Sequence, residues 1–89
     1  MLVNAKDILV VAKKNKFGVV APNINNECTC RAAIQAAEEL QAPVILDICD
    51  WATTDMVMLG RIAEYMAVRA KVPVAIQLDH GATFEDAIL

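Results

Sequence analysis

The side chains able to do chemistry gather at the ends of short apolar runs. Asn23 follows Phe17-Gly18-Val19-Val20-Ala21-Pro22. Asp47, Cys49 and Asp50 close the run that begins Pro43-Val44-Ile45-Leu46. Asp79-His80-Gly81 closes Pro73-Val74-Ala75-Ile76-Gln77-Leu78. Polar residues are nearly absent elsewhere in these runs, so composition alone does not explain the clustering. Asp79 is suited either to general acid/base work or to capping the end of its run. His80 is the only histidine. A lone histidine is more often structural or merely exposed than a metal ligand. A catalytic zinc usually takes three protein ligands, and this chain cannot supply two further histidines. Gly81 allows a tight turn or a close approach to the backbone.

The remaining reactive residue types carry weaker signals. Cys28 and Cys30 form a C-x-C at a helix start. Residues two apart on a helix point to different sides and chelate poorly, so both are expected as buried thiols. Cys49 stands at a run end, with core packing as its default role. Trp51 follows it, and the sequence does not decide between a pocket lining and a rim. No GxGxxG, P-loop, nucleophile elbow or HExxH occurs, so those enzyme classes have no positive support.

The elements that must position these residues alternate strictly. Asn4 reads as a cap for a helix over 5–14, with Lys13, Lys14 and Lys16 at its C-terminal end, where the dipole favours positive charge. A first strand is expected over 17–21. Asn25 or Asn26 caps a helix over 27–40, striped by Cys30, Ala33, Ile34, Ala37 and Leu40. A second strand follows over 44–49. A helix over 54–70, capped by Thr53 or Thr54, carries Leu59, Ala63, Met66 and Ala70. A third strand spans 73–78, and a last helix begins over 84–89. The strands are near-continuous apolar runs, the mark of parallel strands covered on both faces. Strict alternation is the signature of βα units.

The period sharpens the fold class. Pro43-Val44 and Pro73-Val74 open equivalent strands about 30 residues apart, against roughly 31 residues per unit in a (β/α)8 barrel. The chain is therefore expected to be α/β: a leading helix and the N-terminal three βα units of a TIM barrel, incomplete as given. A small open sheet of three parallel strands is the alternative, and it would carry two open edges. In a barrel, function collects at the C-terminal ends of the strands, where the polar residues stand.

Composition agrees that something more is needed. The 89 residues are 57% hydrophobic, above the roughly 45–50% usual in soluble domains. Net charge is −3 without a basic cluster, which speaks against nucleic acid and anionic membrane surfaces. No apolar stretch approaches the roughly 20 residues that span a bilayer. The N-terminus lacks a signal-peptide pattern, and three cysteines point to reduced thiols and a cytoplasmic protein.

Three segments together resemble the start of class II (metal-dependent) aldolases. Ala21-Pro22-Asn23-Ile24-Asn25-Asn26-Glu27 is similar to that family's Ala-Phe-Asn turn. Ala37-Glu38-Glu39-Leu40-Gln41-Ala42-Pro43-Val44-Ile45-Leu46 matches its Ala-Glu-Glu-Leu-x-x-Pro-Val-Ile-Leu segment. Val72-Pro73-Val74-Ala75-Ile76-Gln77-Leu78-Asp79-His80-Gly81 matches its third strand with the Leu-Asp-His-Gly ending. The likeness covers essentially the whole chain. It departs at Pro22, where the family usually has Phe, and at Asp47 and Cys49, where it usually has Gln and Ser. Gln77 stands where His or Asn is frequent.

The resemblance implies a Zn2+-dependent lyase of carbohydrate metabolism and glycolysis. Its substrate would be a ketose 1,6-bisphosphate, cleaved to dihydroxyacetone phosphate and glyceraldehyde 3-phosphate. By similarity His80 would be a zinc ligand and Asp79 the acid/base for the hydroxyl proton at the cleaved bond. Asn23, Asp47 and Cys49 would contact substrate. A zinc ion suits the enediolate left by cleavage because it stabilises an oxyanion as a Lewis acid. A second carboxylate, Asp47, near a bisphosphate is electrostatically unfavourable. The other metal ligands and most phosphate loops are expected beyond Leu89, so the chain alone is expected to be inactive. A homo-oligomer is expected. Two further readings stand beside this one: a non-catalytic self-associating or partner-binding module, and a diverged relative acting on another phosphorylated sugar.

Overall fold

The structure, a computed structural model, describes residues 1–51 and 53–85. Its element order is α1 (Ala5–Asn15), α2 (Glu27–Glu39), β1 (Val44–Ile48), α3 (Met56–Arg69) and β2 (Val74–Leu78). Each helix starts on a side-chain cap that satisfies orphan amides of its first turn. The Asn4 carboxamide oxygen accepts from the Asp7 N–H at 2.9 Å. Asn26 accepts from the Thr29 N–H at 2.8 Å, and Thr29 Oγ1 accepts from the Asn26 N–H at 3.1 Å, closing a capping box. Asp55 caps α3 by accepting from the Met58 N–H at 2.9 Å. The cap of α3 is therefore Asp55 and not Thr53 or Thr54. Thr53 Oγ1 instead accepts from the Asp55 N–H at 3.2 Å, which turns the chain into the cap.

β1 and β2 pair in parallel, Val44 with Val74 through Ile48 with Leu78. Alternate residues serve opposite faces, as the period of a strand requires. Val44, Leu46, Ile48 and Val74 join Cys30, Ile34, Ala37, Leu59, Ala63 and Ala67 in the core beneath α2 and α3. Ile45 and Ala75 turn the other way and pack with Ile8 of α1, flanked by Val3, Ala5 and Val19. Every residue of β1 is buried, in keeping with the near-continuous apolar run that marked it, which only Asp47 interrupts.

Two irregular segments flank this pair. On the far side of β1, residues 20–24 run parallel to it. Ile45 N–H donates to Val20 O at 3.2 Å, Asp47 N–H to Pro22 O at 3.0 Å, and Ile24 N–H to Asp47 O at 3.0 Å. Strand geometry calls for one more rung, from the N–H of residue 22. Proline has no N–H, so the ladder breaks there. The first strand expected over 17–21 is accordingly not a strand: the paired backbone lies at 20–24, and Asn23 makes a single parallel bridge with Asp47. On the far side of β2, Val74 N–H donates to Met1 O at 2.8 Å and Val3 N–H to Val74 O at 2.9 Å. The terminal ammonium reaches Ala70 O and Val72 O.

Other expectations shift by a turn or less. The expected strand over 44–49 ends at Ile48, and that over 73–78 begins at Val74. Leu40 lies past the end of α2 and is exposed, while Ala67, absent from the expected stripe of α3, is buried. Cys30 is buried as expected but Cys28 is exposed, because the two lie on different sides of the helix. The last helix, expected over 84–89, lies mostly outside the described residues. No described helix is long and apolar enough to cross a membrane.

Candidate active site

The parallel register brings the polar residues to one end of the sheet. Asn23 bridges Asp47, and Asp47 is in turn the register partner of Gln77. Partners in a parallel ladder project on the same side, here the face shared with Ile45 and Ala75, away from α2 and α3. Two residues further along, and therefore on the same face, come Cys49 and Asp79.

Asp47 is the one buried charged residue of the described core, 7% exposed. Its Oδ1 has no hydrogen-bond partner. Burial pushes its carboxyl above the ordinary value. Hydrogen bonding from the Gln77 side chain opposes this, the Asp79 charge adds to it, and the His80 charge opposes it. An unsatisfied buried oxygen is expensive to keep, about 1–3 kcal/mol, so its presence calls for an explanation. Cys49 beside it is fully buried.

Asp79 and His80 stand at the mouth. The Asp79 N–H donates to Ile48 O at 2.8 Å, which fixes the end of β2 against β1. His80 then takes φ 71° and Gly81 φ 44°. A non-glycine residue in the left-handed region costs roughly 1–2 kcal/mol, and such strain gathers at functional sites. The turn is closed by the Gly81 N–H, which donates to Asp79 O at 2.9 Å. The result is an imidazole held out from the strand end, with its side chain 67% exposed, beside an Asp79 side chain that is 32% exposed. His80 Nε2 lies 3.8 Å from Asp79 Oδ2, close enough for charge attraction and too far for a hydrogen bond. Trp51 presents an edge-on ring to the imidazole, centroids 6.4 Å apart at 63°.

Among the described residues, no group of three or more His, Cys, Asp or Glu is placed to hold a metal ion. A catalytic zinc site needs about three protein ligands, and this chain offers one histidine. The described residues therefore do not by themselves show a complete metal site.

The register brings together Asn23, Asp47 and Asp79 of the residues singled out by sequence, with His80 exposed at the strand end and Cys49 buried. Gln77 was missed as a site residue. Its signal was available in the alternation: Gln77-x-Asp79 repeats Asp47-x-Cys49 on the same face of the next strand.

The fructose-bisphosphate aldolase class-II family model matches residues 3–89. The chain belongs to that family. It is 39% identical to the fructose-bisphosphate aldolase of Thermus caldophilus over 99% of its own length and 29% of that protein's. It is 37% identical to the fructose-bisphosphate aldolase of Staphylococcus aureus strain Mu50, over 94% of this chain and 31% of the relative. The crystal structure of the YdjI aldolase from Escherichia coli K12 superposes with a TM-score of 0.88 at 27% identity, covering 99% of this chain and 34% of that one. The chain thus has the α/β architecture of an aldolase and spans about a third of the length of the relatives it matches.

Proposed function

We propose that this chain forms one wall of the active site of a class II aldolase, the first three βα units of a (β/α)8 barrel. The reaction is the reversible cleavage of a phosphorylated ketose to dihydroxyacetone phosphate and an aldehyde. The reading rests on family membership together with one observation: Asp79 and His80 sit side by side at the C-terminal end of β2, with His80 in a strained backbone that presents its ring outward. Ketose 1,6-bisphosphates are the default substrates the resemblance implies.

In the cleavage direction, Asp79 takes the proton of the hydroxyl on the carbon that becomes the aldehyde. That oxygen forms the new C=O, the carbon–carbon bond breaks, and its electron pair passes to the ketose carbonyl as an enediolate. Protonation of the enediolate carbon completes dihydroxyacetone phosphate. A positioned carboxylate contributes about 10²–10⁴ to such a step. A divalent metal such as Zn2+, when bound in such a site, supplies charge stabilisation of the enediolate oxygens. His80 would be one of its ligands. Asn23 and Gln77 present amides that can orient substrate hydroxyls.

His80→Ala in the complete enzyme is the test. The expected result is a zinc affinity lowered at least tenfold by chelator competition, with the fold intact. Unchanged zinc affinity would remove His80 from the ligand set. A second reading, a diverged relative acting on another phosphorylated sugar, is favoured by one specific observation, the buried Asp47 carboxylate with an unpaired oxygen at the strand end.

A further inference from the structure

A histidine that ligates a metal has to hold its ring in one orientation, and the surroundings of His80 hold it lightly. The side chain is mostly exposed, and the backbone at φ 71° turns it out of the line of β2. Asp79 Oδ2 lies 3.8 Å from Nε2, too far for a hydrogen bond that would set the ring plane. The group that does meet the imidazole face-on or edge-on is the Trp51 indole, with centroids 6.4 Å apart and planes at 63°. This is a T-shaped pair, inside the roughly 4.5–7 Å range in which aromatic rings attract.

The contact follows from the register. Ile48 and Leu78 are partners at the ends of β1 and β2, and the Asp79 N–H donates to Ile48 O, so the two strands leave the sheet side by side. Cys49 is fully buried and roots the loop after β1, and Trp51 stands two residues on. The indole is 66% exposed, so it contributes little to the core. The largest aromatic side chain of the molecule is thus left in solvent, with its ring set against the only histidine.

We propose that Trp51 is a positioning residue for His80: the indole braces the imidazole at the strand end, so that the ring is ordered before a metal binds. This rests on the aldolase reading, in which His80 is a metal ligand, and adds to it a residue from the loop after β1. Ordering a side chain in advance removes that ordering from the cost of binding. Groups that orient a ligating histidine tune metal affinity in this way. A T-shaped ring pair shifts an equilibrium by about two- to tenfold, and that is the size of effect expected on zinc affinity.

The experiment measures zinc affinity by chelator competition in the complete enzyme for Trp51→Leu, Trp51→Phe, His80→Ala and the double variant Trp51→Leu/His80→Ala. Thermal melts are run alongside. Leucine keeps apolar bulk without a ring, and phenylalanine keeps a ring. Trp51→Leu is expected to bind zinc at least about threefold more weakly, with Trp51→Phe recovering more than half of that loss on a logarithmic scale. The loss should disappear in the His80→Ala background, because the two side chains act through one contact. Should Trp51→Leu not fold, Trp51→Met takes its place, and failure of both to fold overturns the proposal by making the residue structural. A loss smaller than about threefold, a phenylalanine that recovers less than half, or a loss that persists without His80 overturns the positioning role and leaves His80 a ligand. Unchanged zinc affinity in His80→Ala overturns the ligand reading itself.

Discussion

Asp47→Asn is expected to stabilise the isolated chain, and the gain should depend on pH. The side chain is 7% exposed and Oδ1 lacks a partner. Its ionised form therefore suffers in the folded state what it does not suffer unfolded. Burial raises the folded carboxyl above its ordinary value, while the unfolded group titrates near ~3.9. Between those two values the folded state holds the extra proton. Stability therefore falls as pH rises through the folded value and is recovered as pH falls toward about 4. The asparagine variant keeps the shape and the Gln77 neighbour but carries no charge, so this slope should vanish. Leaving a buried polar oxygen unsatisfied costs about 1–3 kcal/mol, and more when it is charged; the equally buried amide retains the polar part of that cost. A gain of about 1 kcal/mol at pH 7 is the expected size, or roughly 4–8 °C in Tm for a chain of this length. Thermal melts by circular dichroism at several pH values from 4 to 8 measure it. Glu27, lowered by the Arg31 hydrogen bond and charge, titrates in the opposite sense. It is present in both proteins and cancels in the difference. A variant that melts lower at pH 7, or a gap that stays constant from pH 8 to pH 4, would refute the reasoning.

Two other substitutions probe how the site is held. Leu46→Ala removes a fully buried side chain between the sheet and the helices and should cost about 2–5 kcal/mol in denaturant unfolding, from the lost burial and the cavity left behind. Gly81→Ala should cost about 1 kcal/mol by the same assay: φ is +44° there, and a Cβ would meet Leu78 Cδ2 at 3.2 Å. The flexible Leu78 tip can yield, so the backbone conformation dominates the loss, and a β-branched residue at 81 should cost more.

The parts of this structure that follow from local chemistry were readable from residue types. Asn4 and Asn26 cap their helices because side-chain oxygens satisfy first-turn amides, and the burial of β1 on both faces follows from a run that is apolar except at Asp47. The alternation that placed Asp47 and Asp79 on one face needs only the period of a strand. What could not be read depends on partners. Pro22 sits one residue beyond the apolar run at 17–21, yet its missing N–H breaks the ladder only once the register with β1 is known. Asp55 displaced Thr53 as a cap because the threonine was taken up by the turn before it. The left-handed backbone of His80, and the Trp51 ring set against it, arise from the loop geometry at two strand ends. The unpaired oxygen of Asp47 was invisible for a different reason: a carboxylate at a strand end is ordinary, and its burial without a donor is a property of the packed sheet.

The central claim is that Asp79 and His80 form one wall of an aldolase site, with Asp79 moving the hydroxyl proton. The rate of ketose cleavage by the complete, metal-loaded enzyme carrying Asp79→Ala tests it most directly. The expected result is a loss of about 10²–10⁴ in kcat with zinc still bound. A kcat within twofold of the wild type would contradict the claim.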